Sequence, residues 1–135
     1  MKQIFINLPV TDLEKSKRFY TELGFVNYPL FTGENQVCMA WSDNILVMLQ
    51  SKAFFNAGNK KQIANTAKEI SATFTLPVES VEKVNQIIDK GLKAGGKESI
   101  PMIDEGFMQV RTLEDFDGHT WAFIYLDIAN FKKIR

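Results

Sequence analysis

The segment FINLPV at residues 5–10 returns as TFTLPV at residues 73–78, and this recurrence fixes the order of the elements after each copy. Moved on by 68 residues, Leu8, Pro9 and Val10 meet Leu76, Pro77 and Val78; Glu14 and Lys15 meet Glu82 and Lys83; Phe19 and Tyr20 meet Ile87 and Ile88. A chain of 135 residues built this way folds as two like units. In the first copy, Ile4, Ile6, Leu8 and Val10 fall on one face and Phe5, Asn7 and Pro9 on the other, the period of a strand. TDLEKSKRFYTELGF comes directly after it. Thr11 and Glu14 fit a capping box, Leu13, Phe19, Tyr20 and Leu23 form an apolar stripe, and Gly24 suits the left-handed residue that ends a helix.

Three strands are then expected at VNYPLF, VCMAW and ILVML, separated by the turn segments TGENQ and SDN. The second half repeats the order, with a longer helix at VEKVNQIIDKGLKAGG and strands at KESIPMI, GFMQVRTLE and TWAFIYL. Each half reads βαβββ. The expected organisation is a first module over residues 1–50, a linker over 51–69, a second module over 70–128 and a tail over 129–135. The linker, polar and lysine-rich with Phe54 and Phe55 as its aromatic anchors, reads as a surface excursion with one helical turn. A solvated connector is its simpler reading and a lid over a site the alternative. One βαβββ unit covers a single face of its sheet, so the copy must help cover the rest. The expected class is α+β, with tandem βαβββ modules forming a curved mixed sheet around a concave trough, a default place for a small ligand.

Composition narrows the partners. Lys plus Arg and Asp plus Glu number 16 each, which offers a nucleic acid no basic excess, and aromatic platforms are nowhere interleaved with basic residues. No apolar run approaches a membrane span and no leader pattern opens the chain, so a cytoplasmic protein with no membrane partner is expected. Cys38, the one cysteine, reads as a buried, inert thiol. Trp121 alternates with Phe123 and Tyr125 on the expected helix-facing side, where it packs in a core. His119, the one histidine, lies in the DFDGHT turn with Asp115 and Asp117; a turn role for all three, with His119 bonded to backbone or to Asp117, outweighs acid–base work.

LPVTDLEKSKRFYTELGF, the tandem βαβββ order and the closing DFDGHTWAFIYLD together resemble the vicinal oxygen chelate superfamily, the glyoxalase, bleomycin resistance protein and extradiol dioxygenase-like proteins. The resemblance implies that fold over nearly the whole chain. It also implies a divalent metal at the floor of the trough, held by His, Glu or Gln from the first and last strands of each module. Carried over, those positions are Phe5, Thr73 and Ala122, with Met48 as the fourth and Gln50 or Leu46 as neighbouring choices on its face. Phenyl, hydroxyl, methyl and thioether groups do not make a Zn²⁺, Fe²⁺ or Mn²⁺ site, so no metal and no cofactor is expected. A weak hard-cation site at Gln50 and Asn7 with a partner's acid is the remaining alternative.

The expected ligand-binding residues are Phe5, Asn7, Met48, Gln50, Thr73, Thr75, Ala122 and Ile124, with Leu46 beside them. Either Met108 and Val110 or Gln109 and Arg111 join them, the parity of that strand being open. Inward, Arg111 would grip a carboxylate or phosphate; outward, it would pair with Glu114 or Asp115. A core that simply fills the trough is the competing reading. The resemblance thus implies a homodimeric protein that binds or sequesters a small, partly aromatic molecule, as bleomycin-binding members do. The alternative is a metal-dependent enzyme with an atypical site, with lactoylglutathione lyase-like, dioxygenase-like or thiol transferase activity.

Overall fold

The computed structural model describes residues 2–134. Its elements are β1 (Ile4–Val10), α1 (Leu13–Leu23), β2 (Val26–Asn27), β3 (Gln36–Ser42), β4 (Ile45–Ser51), α2 (Lys52–Ala57), β5 (Thr73–Pro77), α3 (Val81–Lys93), β6 (Ile103–Asp104), β7 (Met108–Glu114), β8 (Thr120–Leu126) and α4 (Ile128–Ile134). Two βαβββ modules form two mixed four-stranded sheets, ordered β1-β4-β3-β2 and β5-β8-β7-β6. The outer pair is parallel in each, β1 with β4 and β5 with β8, and the remaining pairs are antiparallel. The repeat extends to the register. Asn7 lies opposite Met48 in the first sheet, and Thr75, 68 residues on, lies opposite Ala122 in the second.

Alternation gives each sheet two unlike faces. Leu8, Val10, Val47 and Leu49 from one sheet and Leu76, Leu113, Trp121 and Phe123 from the other join Phe19, Tyr20 and Leu23 of α1 and Val84, Ile87 and Ile88 of α3 in a single buried cluster. The modules therefore share one core within the chain. Trp121 sits at its centre, its ring centroid 5.8 Å from Tyr20, 5.5 Å from Phe25 and 4.9 Å from Phe74. Burying side chains of this size contributes about 1.5–3 kcal/mol each. Gly91 lets α1 and α3 meet: a Cβ there would lie 2.8 Å from a Leu23 methyl and collide with Leu113.

The structure differs from the sequence expectations at several ends. Asp12, not Thr11, caps α1, accepting from the Lys15 N–H at 3.0 Å, because Thr11 is drawn away to Asp117. VNYPLF keeps two strand residues and then turns into a 3-10 turn at Pro29–Phe31, since proline lacks the ladder donor. KESIPMI likewise reduces to Ile103, continuing into Asp104, and an isolated bridge between Lys97 and Glu114, with Pro101 between them. The expected tail forms α4, with the Asn130 N–H held by the Asp127 carboxylate at 3.0 Å and Phe131 packed on Phe107. In the linker, Ser51 caps the six-residue α2 by accepting from the Phe54 N–H.

Candidate functional site

The free edge of β1, the start of β5 and the turn between β7 and β8 enclose a cavity of about 360 Å³, within the range of about 300–1,000 Å³ usual for ligand pockets. Ile6, Leu8 and Pro9 of β1 and Phe74 of β5 make its apolar wall, and the linker closes it with Ile63, Ala64 and Ile70. Polar groups enter from Asn7, His119, Thr120, Lys61 and Glu69. Two further cavities adjoin it under the same linker. One, about 640 Å³, shares Asn7, Phe55 and Asn59 and adds Gln50 and Phe54; the other, about 460 Å³, shares Pro9, Ile63, Ala64 and Thr66 and adds Thr11 and Asp117. The linker thus roofs a cleft.

The turn at residues 115–119 ties this region together. The Asp115 carboxylate accepts the backbone N–H groups of Asp117 and His119, both at 2.9 Å, and the Tyr20 hydroxyl at 2.6 Å. The Trp121 indole N–H in turn donates to the Tyr20 oxygen at 2.9 Å. Burial pushes the Asp115 carboxyl above its ordinary pKa, opposed by His119 and by the hydrogen bonds it accepts. Burial and the adjacent Asp115 likewise push the Tyr20 phenol well above its ordinary value, so it is a fixed donor. Asp117 accepts from the Thr11 N–H at 3.0 Å and from its hydroxyl at 2.7 Å, while its carbonyl accepts the Thr66 hydroxyl of the linker. Gly118, at φ +83°, has no room for a Cβ because the Thr66 carbonyl fills the space. First module, second module and roof all meet at this turn.

His119 is 7% exposed, and its Nε2 lies 2.7 Å from the Pro9 carbonyl, across the module boundary. Its own turn bond runs to Asp115 and not to Asp117. Nδ1 has no hydrogen-bond partner among the described residues.

Of the residues expected to bind a ligand, Asn7 lines the first two cavities and Gln50 the second, its amide also donating to Gln36 at 3.0 Å. Phe5 instead packs edge-on against Phe31, with centroids 5.6 Å apart. Met48 is buried with Leu46 and Cys38, as expected for that thiol, whose pKa burial raises. Ala122 is buried, Ile124 is half-buried and Thr73 and Thr75 are exposed on the same sheet face as each other. The parity of β7 is now fixed: Val110 lies opposite Ile124 and Arg111 opposite Phe123. Arg111 therefore faces α3, which corrects its place among the ligand-binding residues. Its guanidinium holds Glu98 through two bonds of 2.8 and 2.9 Å, with Asn85 at 3.0 Å and Asp89 at 3.3 Å, rather than Glu114 or Asp115. The sequence signal for the roof was weak, because Phe55, Ile63 and Ile70 are scattered in a polar segment.

The residues at the family's metal positions do not fit a cation. Phe5 and Ala122 carry no donor atom, and the register makes Met48 the counterpart of Ala122. Among the described residues, no three His, Cys, Asp or Glu side chains converge as metal ligands would.

A model of the bleomycin resistance protein-like N-terminal family matches residues 2–42. The fold matches solved structures over almost its whole length. A hypothetical protein, SA1046, from S. aureus is 25% identical with a TM-score of 0.79, covering 93% of this chain and 94% of its own. The chain has the fold of the glyoxalase/bleomycin resistance/dioxygenase proteins. Two other solved structures of like fold are a glyoxalase-related enzyme from Fulvimarina pelagi and a glyoxalase/bleomycin resistance protein/dioxygenase family enzyme from Burkholderia phytofirmans PsJN. The first has 20% identity, a TM-score of 0.77 and coverage of 93% and 88%; the second has 11%, 0.76 and coverage of 93% and 99%. No curated protein matches the sequence. In fold the chain is glyoxalase/bleomycin-resistance-like, and no helix among its described residues is long and apolar enough to cross a membrane.

Proposed function

We propose that this protein binds and sequesters a small, partly aromatic molecule in the cleft beneath the linker, without the metal its enzyme relatives would use. The observation that carries this is the cavity of about 360 Å³ in which an aliphatic and aromatic surface from Ile6, Leu8, Pro9 and Phe74 is interspersed with hydrogen-bonding groups, Asn7 and His119 among them. Phe5 and Ala122, placed where donor atoms would be needed, support a binding role over metal chemistry. Val26, Tyr28, Leu30 and Phe31, at the β2 edge of the first sheet, expose apolar side chains, which supports a homodimer as the working state.

A thermal-shift screen of small aromatic compounds, run with and without added Zn²⁺, Fe²⁺ and Mn²⁺, tests this. Metal-independent stabilisation that is lost when Phe74 is exchanged for a charged residue is expected. Stoichiometric tight metal, with turnover that depends on it, would refute a passive role. Sedimentation of the same material reads the oligomeric state.

A further inference from the structure

A backbone carbonyl only accepts hydrogen bonds, so the contact of 2.7 Å between His119 Nε2 and the Pro9 oxygen places a proton on Nε2. In the neutral ring Nδ1 is then bare. The ring is held by Pro9 through Nε2, the backbone beneath it is held by Asp115 through the His119 N–H, and 7% of the residue is exposed. His119 lies in the wall of the cavity, and Nδ1 has no partner among the described residues. A bare acceptor held rigidly at an apolar wall is left to water or to a ligand, and its fixed position spares the ordering cost of binding.

We propose that His119 is the anchoring acceptor of this cavity, its Nδ1 taking a hydrogen bond from the N–H or O–H of a compact aromatic ligand whose body packs on Leu8, Pro9 and Phe74. The proposal rests on the cavity being the binding site. It also sets the ligand class. A carboxylate or phosphate would turn its lone pairs toward Nδ1 and toward Glu69 in the same wall, with Lys61 as the cation available among the lining residues. A neutral donor meets no such opposition.

His119 is the only histidine in the chain, so in untagged, ¹⁵N-labelled protein the imidazole nitrogen signals assign themselves. With the ring neutral, a protonated Nε2 and a bare Nδ1 are expected before any ligand is added; a proton on Nδ1 overturns the proposal. Indole and 1-methylindole then serve as probes of nearly equal bulk, one with a donor and one without. Indole is expected to move the Nδ1 signal and to bind about tenfold more tightly than its methylated partner. H119F, which offers no acceptor, is expected to bind the two alike, and benzoate is expected to bind more weakly than indole to the wild-type protein. Equal binding of both indoles to the wild-type protein with Nδ1 unmoved overturns the anchoring role and leaves the cavity as a binding site. Failure of both indoles and benzoate to bind overturns the anchor and the binding site together.

Discussion

Replacing Tyr20 by Phe removes one oxygen and leaves two groups short of a partner. The hydroxyl is fully buried, donates to Asp115 at 2.6 Å and accepts from Trp121 at 2.9 Å. In the variant the indole N–H has no acceptor, a loss of about 1–3 kcal/mol for a buried polar group. Asp115 loses a hydrogen bond to a charged acceptor, worth about 1.5–3 kcal/mol, although its two backbone donors remain. Because the two losses share one network they do not add fully, and about 3–5 kcal/mol at neutral pH is expected.

The pH dependence comes from the sign of the Asp115 shift. Its folded pKa is raised by burial, so its contribution favours folding below the unfolded value and is lost as pH climbs through the folded one. The Tyr20 hydrogen bond lowers that folded pKa, so the variant raises it further and loses most where Asp115 is ionised. Urea unfolding at about pH 7.5 and about pH 4.5 reads both quantities, with the smaller loss expected in acid. A loss below about 1 kcal/mol at neutral pH, or the same loss at both pH values, would refute the buried relay.

Gly91→Ala sets helix propensity against packing: the gain of about 1 kcal/mol expected on a free helix is outweighed by collision with Leu113 and Leu23, and a net loss of about 1–2 kcal/mol should appear in chemical denaturation. Gly118→Ala meets the Thr66 carbonyl and a positive φ, so hydrogen exchange at residues 64–68 should speed up by at least about tenfold while that at α3 stays slow. Arg111→Met strands Glu98 at the α3 face and should cost about 2–4 kcal/mol of stability, with ligand affinity unchanged; a change in affinity alone would return Arg111 to the site.

What the sequence disclosed was whatever a short window contains. β8 runs over TWAFIYL with the bounds expected, and Gly24 takes the left-handed conformation expected of it at φ 107°. The prolines at 29 and 101 cut two expected strands short, an effect local enough to have been weighed. Other errors came from contacts no window holds. Thr11 resembled a cap until Asp117, 106 residues away, claimed its hydroxyl. Arg111 had no readable side, because MQVRTLE alternates too weakly to choose, and only pairing with Phe123 settled it. Strand parity placed Asn7 and Gln50 on the expected trough face, but it placed Phe5, Met48 and Ala122 there as well, and none of those three lines the cleft. The roof was not legible, since its contacts depend on where the linker is tied to the turn at Asp117 and Gly118, and its composition resembles any solvated segment.

The link between Tyr20 and Asp115 spans 95 residues. During synthesis the first half therefore leaves the ribosome with its central phenol lacking the carboxylate that will receive it and the indole that will cap it. Its core must stay loose until the last strand pair is made. Neither half is a finished object that the other merely joins, and a truncated product ending at the linker should be a substrate for quality control rather than a smaller version of the protein.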